Sequence, residues 1–258
     1  MIILLFIFGL CVGSFLNVLA DRLPRGEDVL TSRSHCDHCK HKLLWYELIP
    51  LLSFLLQQGN TRCCHKKLSF QYPLSELVTG VGFVLLSVFP FPHGFSLQSS
   101  FLIPYSLFLI LFSLMLVIFI ADFKYEIIPM EMIIIGFFTA LCFHFINFTN
   151  LMNFTNFFFA ALGAGAFFFC LWFFSKGKAM GDGDIYLASL LGFLMGFPNI
   201  IISLYAAFLT GAVVGVILIL QRKKRLKSHI PFGPFLILGY GITVVWGANI
   251  LQIWRLLW

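Results

Sequence analysis

Charged side chains are scarce in this sequence: Asp, Glu, Lys and Arg make up 11% of 258 residues, against 60% hydrophobic. Mean hydropathy is +0.95. So little polar surface excludes a soluble globular domain, because one core could not hide that much apolar area and a bilayer must cover the rest. The first apolar run has no positively charged stretch ahead of it and no small-x-small cleavage site behind it. Both lacks argue against a cleaved signal peptide, so Met1-Ile2-Ile3-Leu4 reads as the start of a retained span. The sequence also lacks a glycine-rich nucleotide loop, a low-complexity linker and an evident internal repeat.

What is present is a series of apolar runs near 4 to 20, 74 to 90, 104 to 121, 130 to 147, 155 to 174, 185 to 220 and 232 to 253. Most reach the roughly 20 residues that cross a hydrocarbon core of about 30 Å. The run from 185 to 220 is too long for one span, and Phe197-Pro198-Asn199 predicts a tight turn inside it. The expected fold is all-α: a polytopic membrane protein of about eight transmembrane helices with one cytoplasmic cysteine-containing loop. Its expected parts are a first helix at 1 to 20, a loop domain at 21 to 73 and a membrane-embedded core at 74 to 258.

Basic residues mark the cytoplasmic side when they sit in short loops beside spans. The 21 to 73 segment carries Arg22, Arg25, Arg33, Lys40, Lys42, Arg62, Lys66 and Lys67. Lys124, then Lys176 and Lys178, then Arg222, Lys223, Lys224, Arg225 and Lys227 follow on the same side; the alternate loops hold no Lys or Arg, and only Arg255 at the far end lies opposite. Both termini are therefore expected outside. The net charge of +6 is accounted for by topology and attraction to anionic lipid, without nucleic acid.

Carboxylates at membrane depth are expensive and tend to be kept where they work. Asp122 follows the apolar run Leu107 to Ala121, and Asp184 ends Met180-Gly181-Asp182-Gly183-Asp184 and opens another. Two carboxylates at one depth can share a proton, one activating water while the other protonates a carbonyl oxygen. Gly181 and Gly183 would support such a site by adopting left-handed conformations and admitting an extended substrate. The other reading is structural: both aspartates are interfacial, with Asp184 capping its helix. Asp182 reads as solvated and incidental.

Gly181-Asp182-Gly183-Asp184 resembles the GxGD signature of intramembrane aspartyl proteases. Gly13-Ser14-Phe15-Leu16-Asn17-Val18, Arg22-Leu23-Pro24, Ser32-Arg33-Ser34-His35-Cys36 and Leu48-Ile49-Pro50-Leu51-Leu52-Ser53 resemble the amino-terminal half of type IV prepilin peptidases. So do Tyr72-Pro73-Leu74-Ser75-Glu76-Leu77-Val78-Thr79-Gly80 and Pro231-Phe232-Gly233-Pro234-Phe235. The resemblance runs in order along nearly the whole chain. It implies a bacterial plasma-membrane endopeptidase that cuts prepilins or pseudopilins after a glycine in a basic leader, at the cytoplasmic face, with Asp122 and Asp184 as its dyad. Proteolysis of this kind needs no cofactor. Many relatives also methylate the new amino-terminus with S-adenosylmethionine, which makes this chain a candidate for both activities. The systems implied are type IV pili, type II secretion and DNA-uptake pseudopili.

Relatives often carry two CxxC pairs in the cytoplasmic segment, forming a tetrathiolate zinc site. Here Cys36-Asp37-His38-Cys39 keeps the first pair, but the second reads Thr61-Arg62-Cys63-Cys64. Thr61 holds the place of a cysteine, with Cys63 or one of His35, His38, His41 and His65 as substitutes for the fourth ligand. The alternative is a set of reduced thiols without metal. Met130 and Tyr186 stand where relatives frequently have asparagine and lysine, which touches substrate positioning and not the reaction class. Asn17 and Glu76 are polar groups near helix ends that either work or merely cap.

The remaining signals read as structural. The small-residue run 160 to 166 and the Gly211/Gly215 pair suit close helix packing. Cys11, Cys142 and Cys170 read as buried and inert, and His144 as an interface residue. Two other classes compete with the protease: a proton-coupled transporter and a thiol oxidoreductase using Cys36 and Cys39. Transporters usually place carboxylates near the midplane and repeat their halves, and neither feature is apparent here.

Overall fold

The computed structural model describes residues 2–29, 34–36, 39–88, 102–147, 151–178, 180–221 and 231–257. Arg33, His38, the basic segment from Arg222 to Lys227 and the Arg255 side chain lie outside the described residues. The described elements are α1 (Ile2–Arg22), α2 (Leu52–Leu56), α3 (Gln71–Val88), α4 (Leu102–Tyr125), α5 (Met130–Asn147), α6 (Leu151–Ser175), α7 (Asp182–Met195), α8 (Asn199–Leu220) and α9 (Gly233–Leu257). Among the described residues there is no strand, only the isolated bridges His35–Lys42 and Asn60–Lys67.

All but the short α2 correspond to the eight expected helices. Six regions, 2–25, 71–88, 105–125, 154–175, 199–220 and 233–253, are long and apolar enough to cross a membrane, and Met130–Ile146 is a shorter apolar helix. The chain is an all-α, multi-pass membrane protein. α7 has 14 residues and is followed by Gly196 as its C-cap, whose φ of 65° with ψ 177° is a conformation open to glycine and costly for other residues. α8 begins directly after Pro198, so the turn falls where Phe197-Pro198-Asn199 predicts it.

Two compact units divide the chain. The first comprises Met1–Pro90 with Phe112–Ile120, the second Phe91–Leu111 with Ala121–Trp258. In the first, α1 packs against α3, and at two glycines of α1 the backbones come close. A Cβ on Gly13 would lie 2.8 Å from Cα of Glu76, and one on Gly9 would lie 2.8 Å from Cα of Gly80. Without a hydrophobic driving force in lipid, such backbone proximity is what lets dispersion hold two helices together.

In the second unit α7 packs on α6, α5, α8 and α9. The run 160 to 166 meets α7 as expected, since a Cβ at Gly192 would lie 2.5 Å from the Ala160 carbonyl oxygen. The Gly211/Gly215 expectation needs correction: nothing lies within 4 Å of a Cβ built on Gly215. The close approach of α8 to α9 is at Gly239, against the carbonyl of Ser203.

Two further corrections concern facing. Cys11 and Cys170 are exposed and Cys142 half-buried, because they lie on outward apolar faces that lipid covers. His144, in contrast, is 2% exposed. Its Nε2 lies 2.7 Å from the Phe193 carbonyl oxygen and its ring centroid 4.2 Å from that of Phe157. It is an internal tie between α5 and α7, not an interface residue.

Replacing Gly13 with leucine should wedge α1 from α3 and destabilise the protein by about 1–3 kcal/mol, seen as a lowered unfolding midpoint in detergent.

Candidate functional site

α4 ends where its backbone leaves the helix: Glu126 adopts φ +56° and donates its N–H to the Asp122 carbonyl oxygen at 2.9 Å. Pro129 then precedes α5. This places Asp122 in the last turn of α4, where its side chain is 5% exposed. Asp184 is also 5% exposed and lies in the first turn of α7, whose N-cap is Gly181.

Two glycines and one isoleucine bring these helix ends together. A Cβ on Gly233, at the start of α9, would lie 2.5 Å from Oδ2 of Asp122 and 3.3 Å from Cδ1 of Ile128. A Cβ on Gly183, next to Asp184, would lie 2.9 Å from Cβ of Ile128. Ile128 is thus the common neighbour of the Gly233–Asp122 contact and of the α7 turn carrying Asp184. Oδ2 of Asp122 has no hydrogen-bond partner among the described residues. A buried carboxylate oxygen left without one calls for an explanation such as a proton, a water or a reacting group.

The glycines act differently from the sequence expectation. Gly181 is extended, with φ −72° and ψ 156°, and Gly183 is helical. Neither is left-handed, because α7 begins at Asp182 and leaves no turn to strain. Gly183 is needed for space against Ile128. The capping expectation holds in a different form: Asp184 is not the N-cap but the third helical residue, with Oδ2 3.8 Å from a Cβ built on the N-cap Gly181, where a carboxylate suits a helix start. Asp182 is exposed and accepts the Gly183 N–H at 3.0 Å. Met130 and Tyr186 are exposed, at 43% each. Gly233, in Pro231-Phe232-Gly233-Pro234-Phe235, has no role assigned from sequence. Its signal was a glycine flanked by Phe232 and Pro234 at a helix start, where a side chain would have to displace Asp122.

A second cluster lies in the first unit. The Sγ atoms of Cys36, Cys39, Cys63 and Cys64 all fall within 4.8 Å of one another, with Cys39–Cys63 at 3.1 Å, Cys36–Cys64 at 3.9 Å and Cys63–Cys64 at 4.0 Å. Two similar turns build it. Lys40 donates its N–H to Cys36 O at 2.9 Å, as His65 does to Thr61 O at 2.9 Å, and both Lys40 and His65 have positive φ. Thr61 therefore occupies in the second turn the place of Cys36 in the first, and the exposed Cys63 supplies the fourth sulfur of the cluster. Sulfurs about 2.3 Å from a tetrahedral zinc lie about 3.8 Å apart, so the four thiols could hold the ion.

Among the described residues no histidine joins the cluster. The Cys63 thiol is pushed up to about 12, first by its hydrogen bond with Cys39. Cys64 is lowered to about 7, first by its hydrogen bond with Thr61, at an Oγ1–Sγ distance of 3.1 Å. Thr61 thus favours the thiolate a metal would need.

Asn17 and Glu76 meet at the α1–α3 contact, and neither is an interfacial cap. Ser75 Oγ donates to Asn17 Oδ1 at 2.6 Å, and Asn17 Nδ2 to the Tyr72 carbonyl at 3.3 Å. Glu76, 8% exposed, accepts the Leu51 N–H at 2.9 Å. Leu51 has φ +58°, a conformation that is costly for a branched side chain. The buried carboxylate holds that conformation in place.

Comparison with known proteins gives concordant matches. The Bacterial Peptidase A24 N-terminal domain matches residues 7–89, and the Type IV leader peptidase family matches residues 109–216. A prepilin leader peptidase/N-methyltransferase of Bacillus subtilis (strain 168) is 30% identical over 255 residues, covering 98% of this chain and 97% of the relative. Proteins of the same name from Myxococcus xanthus (strain DK1622) and Aeromonas hydrophila are 34% and 30% identical, over 84% and 96% of this chain and 63% and 91% of their own. No solved structure matches.

Glu76→Ala should leave the Leu51 N–H unpaired at a cost of about 1–3 kcal/mol. Limited proteolysis of the folded protein should then cut within 44–56, where the parent resists.

Proposed function

The chain belongs to the type IV leader peptidase family, and from that premise we propose that Asp122 and Asp184 are the paired catalytic carboxylates of a prepilin leader peptidase. The observation carrying this is their shared burial at helix ends joined through Ile128 and Gly233. A transporter finds no support in the family or in the placement of the carboxylates.

One carboxylate, ionised, takes a proton from water as the water oxygen bonds to the scissile carbonyl carbon. The other, protonated, gives its proton to the carbonyl oxygen, producing a neutral tetrahedral diol. Collapse breaks the C–N bond, with one hydroxyl proton returning to a carboxylate and the departing amine taking a proton from the other. Both acids then regain their starting states. Burial among apolar helices keeps the pair from ionising twice.

The substrates on this reading are prepilins or pseudopilins with basic leaders, cut after the leader glycine. The site faces the cytoplasm of a bacterial plasma membrane and both termini lie outside, an orientation supported by Lys124, Lys176 and Lys178 near the same helix ends as the aspartates. The 74 to 258 region forms the protease core. Amino-terminal methylation, the second activity in the relatives' names, would draw on S-adenosylmethionine and belongs on this reading to the 21 to 73 segment. Cys36, Cys39, Cys63 and Cys64 hold a structural zinc ion that staples this segment.

Asp122→Asn and Asp184→Asn should each reduce cleavage of a co-expressed prepilin by about 10²- to 10⁴-fold or more, read by gel shift and mass spectrometry of the new amino-terminus. Gly233→Ala, which retains both aspartates but crowds Oδ2, should lower kcat with little change in KM. Parental cleavage in either asparagine variant would remove the dyad assignment. Purified protein should contain stoichiometric zinc by elemental analysis, lost on joint replacement of Cys36 and Cys39 by serine; a metal-free, fully folded preparation would contradict the zinc site.

A further inference from the structure

Residues 44–56 expose more apolar surface than a loop in water tolerates. Trp45 is 77% exposed, Leu55 70% and Leu56 76%, and Leu48, Leu52 and Phe70 are exposed with them. They sit on the 3-10 turn Trp45–Leu48, on α2 and just before α3. These exposures belong to an ordered segment. Glu47 accepts the Leu44 N–H at 2.8 Å, Glu76 fixes Leu51, and Phe54 packs edge-on against Phe70 with centroids 6.1 Å apart.

The charge around this apolar face has one dominant sign. Between residues 39 and 70 the exposed cations are Lys40, Lys42, Arg62, Lys66 and Lys67, and Glu47 is the sole carboxylate. The Arg62 guanidinium stands 5.4 Å from the centre of the Tyr46 ring, so the cationic and aromatic surfaces adjoin. Both ends of the loop run directly into membrane-spanning helices, α1 and α3, which keeps the segment within reach of the headgroup layer.

We propose that 44–56 is a membrane-interface anchor that lies in the headgroup region of an anionic leaflet. Trp45, Leu52, Leu55 and Leu56 enter the boundary with the acyl chains, while Arg62 and the neighbouring lysines meet lipid phosphates. Tryptophan and tyrosine prefer this depth, and an apolar face bordered by Lys and Arg is the composition of helices that lie in the interface. Glu76 serves the anchor by clamping it, through Leu51, to the α1–α3 pair.

The test uses full-length protein in phosphatidylcholine vesicles with and without phosphatidylglycerol, the acyl chains brominated in part of each set. The emission difference between the parent and Trp45→Phe isolates Trp45. The expected result is loss of Trp45 emission to brominated lipid and protection from acrylamide, both stronger with phosphatidylglycerol. In Leu55→Glu/Leu56→Glu the lipid quenching should fall and acrylamide quenching rise. Trp45 quenched by acrylamide and untouched by bromine would overturn the anchor. Equal quenching in both vesicle types would overturn its anionic preference, and protection from acrylamide that required an added prepilin would assign the surface to a protein instead of lipid.

Discussion

A carboxylate cannot sit ionised and alone among apolar helices, because its desolvation costs several kcal/mol unless charge or hydrogen bonds offset it. The rest of this molecule is arranged around that constraint. Glu76 meets it with the Leu51 N–H, which turns a buried acid into a fastening for the loop. Asp122 and Asp184 lie at the ends of α4 and α7 with Ile128 as a common neighbour, and Oδ2 of Asp122 has no hydrogen-bond partner among the described residues. One buried acid is fully spoken for and structural. The aspartates are placed otherwise, beside the glycines Gly233 and Gly181 at helix starts, and on the proposed reading they exchange a proton with substrate.

Most of the helical framework was legible in the sequence, because apolar length is a bilayer requirement and the break at Phe197-Pro198-Asn199 is a local backbone event. The facing of individual residues was not. Cys11 and Cys170 read as buried because cysteine usually is, yet lipid makes an outward apolar face as acceptable as an inward one. His144 read as interfacial from its place near a helix end, whereas the carbonyl of Phe193 and the ring of Phe157 draw it inside. Helix periodicity carries little information when every face is apolar.

The candidate sites show the same division. Asp122 and Asp184 could be picked out as rare carboxylates flanking apolar runs, but the reason for Gly183 could not: it yields space to Ile128, a contact between residues far apart in the chain. Thr61-Arg62-Cys63-Cys64 looked like a damaged metal motif. The structure shows that the turn survives without its first cysteine, since Thr61 keeps the backbone bond to His65 and its hydroxyl meets the Cys64 sulfur. Turn geometry set by the backbone tolerates a changed side chain that a linear pattern does not.

The contact between Gly233 and Asp122 bears on how small a working version of this protein can be. The stretch matched to the leader peptidase family, 109–216, contains both aspartates, and by sequence it would seem to be a self-sufficient enzyme. It ends before α9, whose first residue packs against the Asp122 carboxylate. A chain cut after α8 would keep both aspartates and lose the backbone that packs against Oδ2 of Asp122. The start of α9 is thus packed against the candidate site, and on the proposed reading a minimal protease would have to include it.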